Sequence, residues 1–124
     1  MNKEGKVWGA TWPLFRGPSI EIHRIEVNKD GYCSKHCHQS KFNAFYLIEG
    51  KLTIKRWKND YDLVDYTSMK EGDLCIVPPG EFHQFIAPTP VKALEIYWSE
   101  LDHNDIMRET VGGKSLSNVS GISK

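Results

Sequence analysis

Two histidines, His36 and His38, stand one residue apart in the stretch 31–50, which reads GYCSKHCHQSKFNAFYLIEG. Successive side chains of a β-strand point to opposite faces, so a strand here places both imidazoles on one face and Cys37 on the other. Neutral imidazole is a common ligand of divalent metals. The spacing therefore indicates a strand that carries two converging metal ligands, and the rest of the chain must fold around it.

Short segments with strand-like alternation, separated by turn residues, follow one another along the chain. They are residues 6–11, 20–27, 42–48, 51–57, 61–68, 73–77, 82–87 and 91–98. About nine or ten short strands at this spacing are typical of a β-sandwich or barrel. No long helical pattern occurs, and only residues 102–108 are expected to form a short helical turn. The sequence thus predicts an all-β fold.

Length and composition favour one soluble domain. A chain of 124 residues can close one hydrophobic core, and its 16 basic and 16 acidic side chains cancel, so no nucleic-acid or membrane partner is expected. The first residues contain no apolar signal region, which predicts a cytoplasmic protein. Residues 1–110 are expected to form the domain, and the Gly/Ser-rich residues 111–124 a flexible C-terminal tail.

The three cysteines, Cys33, Cys37 and Cys75, are an odd number and do not suggest a disulfide framework. A bridge between Cys33 and Cys37 within one strand would be strained, and free thiols suit a reducing compartment. A zinc knuckle built from Cys33, Cys37 and a histidine is an alternative. Strand alternation disfavours it, because Cys37 faces away from both histidines.

A second informative stretch, residues 72–83, reads GDLCIVPPGEFH: a strand, a Pro-Pro-Gly turn and a third histidine. Together the two stretches resemble the paired motifs of the cupin superfamily, G-x5-H-x-H-x3-4-E-x6-G and G-x5-P-x-G-x2-H-x3-N. The second motif fits at Gly72, Pro78, Gly80 and His83, and Ala87 stands where the family often has Asn.

The first motif fits at His36, His38 and Gly50, while Gly31 precedes the histidines by four residues instead of five. The acidic position of this motif holds Asn43. The resemblance implies a single-domain cupin, a jelly-roll barrel also called a double-stranded β-helix. It covers most of the chain, and it implies the fold more firmly than any reaction.

In such a barrel His36, His38 and His83 meet near one mouth, where they would bind one divalent ion (Fe, Zn, Mn, Ni or Cu). The alternative is a degenerate cupin whose histidines are only packed polar residues, but three buried imidazoles without a shared cation are costly to desolvate. Asn43 would be a weak ligand or a hydrogen-bond partner of a histidine or bound water. Three neutral ligands leave the ion its full charge, which favours an anionic substrate.

Alternation also assigns residues to the walls of the site. Phe45, Leu47 and Phe85 fall on the metal-facing side, as apolar walls of a substrate pocket or as plain core. Glu95 and Tyr97 share one face of the last strand and are candidates for general acid/base catalysis if that face lines the barrel. The sequence leaves that choice open. His23, which no motif covers, is interpreted as a partly buried or surface histidine without a ligand role.

The resemblance implies a metal-dependent enzyme acting on a small anionic metabolite, either dioxygenase-like, as in three-histidine iron cupins, or a sugar or sugar-acid isomerase. The alternative is a non-catalytic module that binds a carbohydrate or another small ligand. Residues 105–108 also resemble a segment that follows the barrel in mannose-6-phosphate isomerase-type cupin domains.

The sequence also predicts a homodimer, because strand edges are expected to be exposed and the four tryptophans are more apolar surface than a small barrel easily hides. The tryptophans are Trp8, Trp12, Trp57 and Trp98.

Overall fold

The computed structural model describes residues 2–58, 63–100 and 102–121, and this part of the chain is built from short antiparallel strands. The strands are β1 Glu4–Lys6, β2 Gly9–Arg16, β3 Ile20–Val27, β4 Phe42–Glu49, β5 Leu52–Trp57, β6 Val64–Met69, β7 Leu74–Val77, β8 Phe82–Ile86 and β9 Val91–Trp98. One 3-10 helix spans Leu116–Asn118. The prediction of an all-β fold is confirmed.

The strands form two sheets that pack as a jelly roll. The larger sheet has six strands in the order β1-β2-β3-β9-β4-β7, and the smaller has three in the order β6-β5-β8. Strand β9, late in the chain, inserts between β3 and β4, so strands that are distant in sequence become neighbours. This insertion brings the last strand against the strand that follows the histidine pair.

The core lies between the two sheets and follows strand alternation. On β4 the inward residues Phe45 and Leu47 are fully buried, as is Ile54 on β5. Their neighbours Tyr46 and Ile48 on β4 point outward and are exposed. The buried apolar cluster also contains Ile25, Val27, Leu52, Val77, Phe85 and Ala93. The period of two read from the sequence therefore sorts the core correctly.

The structure corrects the expected strand through the histidine pair. Residues 32–38 form no regular strand, and they pair with β8 only through isolated bridges, Tyr32 with Ile86 and His36 with His83. This segment is mostly polar, so it has no apolar face that could hold it along its whole length against the core. It is tied down at a few points instead.

Two further boundaries differ from the prediction. Residues 102–105 form a single hydrogen-bonded turn, in which the N–H of Asp105 donates to the carbonyl of Asp102 at 3.1 Å, but the turn does not continue as a helix through residue 108. Strand β2 continues through Pro13, although the expected strand ended before this residue. The pairing of β2 with β3 shifts register between Pro13 and Phe15, which accommodates the proline. Residues 61–62 of the expected strand 61–68 lie outside the described residues, and β6 begins at Val64.

The C-terminal segment after β9 packs little against the barrel. Its described side chains are exposed, and residues 122–124 lie outside the described part. A flexible tail over residues 111–124 stays a prediction. Within the described ranges, no helix is long and apolar enough to cross a bilayer.

The core assignment is tested by Phe45→Ala, which removes a fully buried ring between the sheets. We expect the free energy of unfolding to fall by about 3–5 kcal/mol, because the transfer free energy is lost and a cavity remains. Tyr66→Ala on β6, where the side chain is 63% exposed, is the control and should cost less than about 1 kcal/mol. Equal losses in urea denaturation would contradict this placement of the core.

Candidate metal centre

Main-chain hydrogen bonds fasten the histidine segment to the start of β8. The N–H of His83 donates to the carbonyl of His36 at 2.8 Å, and the N–H of His36 donates back to His83 at 3.1 Å. The N–H of Gly80, in the Pro-Pro-Gly turn, donates to the carbonyl of His38 at 2.8 Å. Gly80 has a φ of 82°, a conformation that favours glycine. These bonds bring together histidines that are far apart in sequence.

The three histidines form one cluster. One ring nitrogen from each of His36, His38 and His83 lies within 4.8 Å of the others, and no other such group of His, Cys, Asp or Glu occurs in the part of the chain that the structure describes. The ring centroids are 4.5 Å apart for His36 and His83 and 5.1 Å apart for His36 and His38. The arrangement can hold a metal ion.

The hydrogen bonds of the rings show that this donor set fits a divalent ion. Nδ1 of His36 lies 2.8 Å from the carbonyl oxygen of Ser34, and because that oxygen only accepts, Nδ1 carries the proton and Nε2 is bare. Nε2 of His38 is buried and has no hydrogen-bond partner among the described residues. A buried nitrogen without a partner is costly, and a shared cation removes that cost.

Asn43 and His83 support the same conclusion. Nε2 of His83 lies 3.0 Å from Oδ1 of Asn43, while its Nδ1 lies 3.2 Å from the carbonyl oxygen of Glu81. A neutral imidazole has one N–H and can satisfy only one of these two oxygens. If Nδ1 donates its proton to the carbonyl of Glu81, a metal ion on Nε2 would satisfy the oxygen of Asn43. Both interpretations of Asn43, as a weak ligand and as a hydrogen-bond partner, agree with this contact.

Burial keeps two of the imidazoles neutral. It lowers the pKa of His38 to about 4, and the positive charge of Lys41, together with repulsion from His36 whenever that ring is protonated, lowers it further. Burial also lowers the pKa of His83, although the carbonyl of Glu81 opposes this. Both rings are therefore deprotonated at neutral pH, which is the form that binds metal.

The structure decides which face of β9 lines the barrel. Glu95 and Tyr97 point inward, and the hydroxyl of Tyr97 donates to Oε2 of Glu95 at 2.7 Å. The ring of Tyr97 meets His38 edge to face, with centroids 5.3 Å apart. Burial raises the pKa of the Glu95 carboxyl, and burial together with the Glu95 charge raises that of Tyr97. Glu95 thus stands near the cluster as a buried carboxyl whose ionised form is disfavoured by burial and stabilised by the hydroxyl of Tyr97.

A cavity of about 310 Å³ opens beside His36. Trp8 and Phe85 form its apolar wall, packed edge to face at 5.0 Å, and Glu95 and Tyr97 form its polar wall. Of the three aromatic and aliphatic residues expected around the site, Phe85 lines this cavity. The other two, Phe45 and Leu47, lie in the closed core, with the Phe45 ring 6.0 Å from that of His83.

Sequence reasoning missed the contribution of His23 to this cavity. Its side chain is 15% exposed and lines the cavity, and its Nε2 lies 2.9 Å from a carboxylate oxygen of Glu21. It meets the ring of Tyr97 edge to face at 5.7 Å. The signal was present in the sequence, because His23 alternates in phase with the core residues Ile25 and Val27 on β3.

The cysteines do not join the histidine cluster. The Cys33 sulfur is buried and accepts the N–H of Phe85 at 3.2 Å. Burial raises the pKa of this thiol to about 12. Cys37 is half-buried and outside the cluster, so the zinc-knuckle alternative has no support in the geometry.

The family model described as the cupin domain matches residues 23–97. The chain belongs to the cupin family. The matched region contains the three histidines of the cluster, Asn43 and Glu95. Residues 105–108, which resembled mannose-6-phosphate isomerase-type cupins, lie beyond it. No curated protein matches the sequence.

Solved cupin structures resemble this chain in fold. KdgF from Halomonas sp. matches 82% of this chain and 89% of its own, with a TM-score of 0.70 and 12% identity. CapF from Staphylococcus aureus, a capsular polysaccharide assembling protein, matches 84% of this chain and 30% of its own, with a TM-score of 0.73 and 15% identity. Lactobacillus farciminis oxalate decarboxylase matches 83% and 33%, with a TM-score of 0.68 and 18% identity. Such identities establish a shared fold only.

The low pKa of His38 predicts acid sensitivity of the metal-free protein. In the unfolded chain His38 titrates near 6.5 and in the fold near 4, so between these values the unfolded state holds more protons. Its contribution to stability is therefore lost as the pH falls from 6.5 towards 4. We expect the thermal midpoint of His38→Gln to fall less than that of the parent between pH 7 and 4.5.

The matched control is His103→Gln, since His103 is exposed and outside the cluster. Its midpoint should follow the parent at both pH values. An identical acid response in the parent and in His38→Gln, measured by calorimetry in the presence of a chelator, would argue against a buried neutral His38.

Proposed function

We propose that this cupin is a metal-dependent enzyme acting on a small anionic metabolite. His36, His38 and His83 hold one divalent ion, and Asn43 assists as a weak ligand or as a hydrogen-bond partner of His83. The observation that carries the proposal is the convergence of unprotonated ring nitrogens, one of them buried without a partner, beside a cavity with a buried carboxyl.

A divalent ion held by the three neutral histidines would supply Lewis acidity to a substrate oxygen. Trp8 and Phe85 exclude water from one side of the cavity. Glu95 accepts a proton from the substrate at Oε1, because its Oε2 is held by the hydroxyl of Tyr97. Tyr97 itself stays a neutral donor, since its pKa is raised.

Cations at the cavity support an anionic substrate. Lys6 and Arg16 line it, and each is only loosely paired, Lys6 with Glu4 at 3.4 Å and Arg16 with Glu21 at 4.0 Å. Ion pairs this exposed contribute little stability, so either cation can turn to a substrate carboxylate. Oxalate decarboxylase, a cupin of similar fold solved as a formate complex, is a precedent for small anions.

The reaction follows one of two branches. Three-histidine sites suit oxygen-dependent chemistry at iron, while a buried carboxyl next to the ion suits proton transfer in a sugar or sugar acid. The pairing of Glu95 with Tyr97 favours the second branch, isomerisation. The free thiols of Cys33, Cys37 and Cys75 support a cytoplasmic location for either branch.

A non-catalytic carbohydrate-binding module is the second candidate. The observation that favours it is the fold shared with CapF, which is named for capsular polysaccharide assembly. Turnover of sugar acids or small carboxylates, abolished by a chelator and restored by metal, distinguishes an enzyme from a binding module. Ligand binding without turnover in the metal-loaded protein would favour the module.

Metal content tests the proposed ligands directly. We expect the parent to bind one divalent ion and His83→Ala to lose about tenfold or more in affinity, because two histidines remain without a protein carboxylate. Asn43→Glu should bind more tightly, since it adds an anionic ligand, and should weaken activity on an anionic substrate. Inductively coupled plasma mass spectrometry after loading with Zn²⁺, Mn²⁺ or Fe²⁺ gives the occupancy.

The control for this series is His103→Ala, an exposed histidine outside the cluster. Full metal in His83→Ala would mean that the ion binds elsewhere. If neither the parent nor Asn43→Glu binds any of the three ions, the degenerate-cupin interpretation is correct.

The outer face of the six-stranded sheet supports the proposal of a homodimer. Cross-strand neighbours Ile22, Ile96, Ala44 and Ile76 form one apolar row across four strands. The adjacent row contains Leu94, Tyr46 and Leu74. Leu74 and Ile76 are 55% and 45% exposed, a large apolar patch for a surface in water. These rows, and not the tryptophans, carry the proposal, because Trp8 packs against the core and Trp98 stacks on Phe42.

Sedimentation velocity at micromolar concentration tests this association. We expect a dimer for the parent and a monomer for Ile76→Glu, because a charge in the apolar row must be desolvated at the interface. Tyr66→Glu, on the outer face of the smaller sheet, should remain dimeric. A monomeric parent would rule out the proposed dimer at that concentration.

A further inference from the structure

Arg56 and Glu81 form a mostly buried ion pair close to the histidine cluster. Both Nε and Nη2 of Arg56 donate to Oε2 of Glu81, at 3.1 and 2.8 Å. The side chains are only 14% and 10% exposed. Nη2 of Arg56 also donates to the carbonyl of Ile76 at 3.1 Å. One guanidinium thus joins β5, β7 and the turn that leads into β8.

A net gain in folding stability does not explain why this ion pair is buried. Removing two charges from water costs about as much as their attraction returns, and apolar replacements of buried pairs are often neutral or stabilising. Arg56 also occupies an inward position on β5, in phase with the core residues Leu52 and Ile54. An apolar residue there would suit the core, so the charge points to a role in arranging its surroundings.

The pair is linked directly to a proposed metal ligand. Arg56 is the cross-strand partner of His83 in the register of β5 and β8. Arg56 holds the carboxylate of Glu81, and the main-chain carbonyl oxygen of the same Glu81 lies 3.2 Å from Nδ1 of His83, within hydrogen-bond distance. Fixing the side chain of Glu81 therefore restricts the direction of its own carbonyl group.

We propose that Arg56 and Glu81 are positioning residues for His83. By fixing residue 81, the ion pair aims the Glu81 carbonyl at Nδ1, keeps the single ring proton there and leaves Nε2 unprotonated for a metal ion. The inference rests on the proposed function for its purpose. The tautomer that it specifies, however, belongs to the metal-free protein and is measurable without any ion.

The competing acceptor makes this tautomer sensitive to the pair. Oδ1 of Asn43 lies 3.0 Å from Nε2 of His83, so a ring that loses the Glu81 carbonyl can move its proton to Nε2 and donate to Asn43. That tautomer blocks the nitrogen that faces Asn43. Orienting partners of this kind are typically worth a factor of about 10–100 in metal affinity.

The test replaces both charges together, because removal of one partner leaves a buried unpaired charge that can unfold the protein. The variant is Arg56→Met/Glu81→Gln. Its matched control is Lys58→Met/Asp65→Asn, which removes the exposed 3.0 Å ion pair beside the same small sheet. If the double variant does not fold, Arg56→Lys serves in its place, since lysine keeps the charge but lacks the fork that makes several bonds at once.

Long-range ¹H–¹⁵N correlation spectra of the histidine rings, recorded without metal, give the deciding measurement. The parent and the control should show His83 protonated at Nδ1, and the variant should show the proton shifted to Nε2. The dissociation constant for Zn²⁺ should rise about 10–100-fold in the variant and change less than about twofold in the control. An unchanged Nδ1 tautomer in the variant would overturn the inference and leave the pair a structural feature only. A parent that binds none of Zn²⁺, Mn²⁺ and Fe²⁺ would instead overturn the proposed function, while the tautomer measurement still decides this inference.

Discussion

The reciprocal main-chain hydrogen bonds between His36 and His83 are the constraint on which the site depends. The segment that carries His36 and His38 is polar and irregular, and no long strand ladder supports it. The two bonds between His36 and His83, and a third from the N–H of Cys33 to the carbonyl of Phe85, fix its distance from β8, while Gly80 ties it to the turn that precedes this strand. The imidazoles then converge because their backbones are already in contact, and not because the side chains attract one another.

The interior of the barrel combines an apolar core with a polar end. Asn43, His83 and Glu95 are buried at that end, and each is costly to remove from water. Their contacts reduce the cost only in part, since one imidazole faces two acceptor oxygens and the Glu95 carboxyl has a raised pKa. Buried polar groups with unfavourable desolvation free energy and shifted pKa values cluster at functional sites, which agrees with the proposed binding of a cation and a polar substrate here.

The two sheets contribute different residues to the site and have different outer surfaces. The six-stranded sheet supplies Asn43, Glu95 and Tyr97 from adjacent strands, while the smaller sheet supplies His83 and its ion-paired neighbours. Their outer faces also differ: the large sheet exposes aliphatic rows, whereas on the small sheet Lys55 lies over the rings of Trp57 and Tyr66. The proposed dimer therefore uses the outer face of the large sheet.

Local spacing determined most of the strands and the inward positions of the core, because strand alternation involves only residues near in sequence. The meeting of His83 with His36 and His38 was implied by the resemblance to the cupin motifs, and main-chain bonds between distant segments produce it. Only the tertiary structure decided which face of β9 points into the barrel. Both faces of this strand carry large side chains, so the insertion of β9 between β3 and β4 determines which face is inside. The contact of His83 with Asn43 and the Arg56–Glu81 pair likewise join distant strands. Register between strands sets such contacts, and register depends on the packing of the whole barrel.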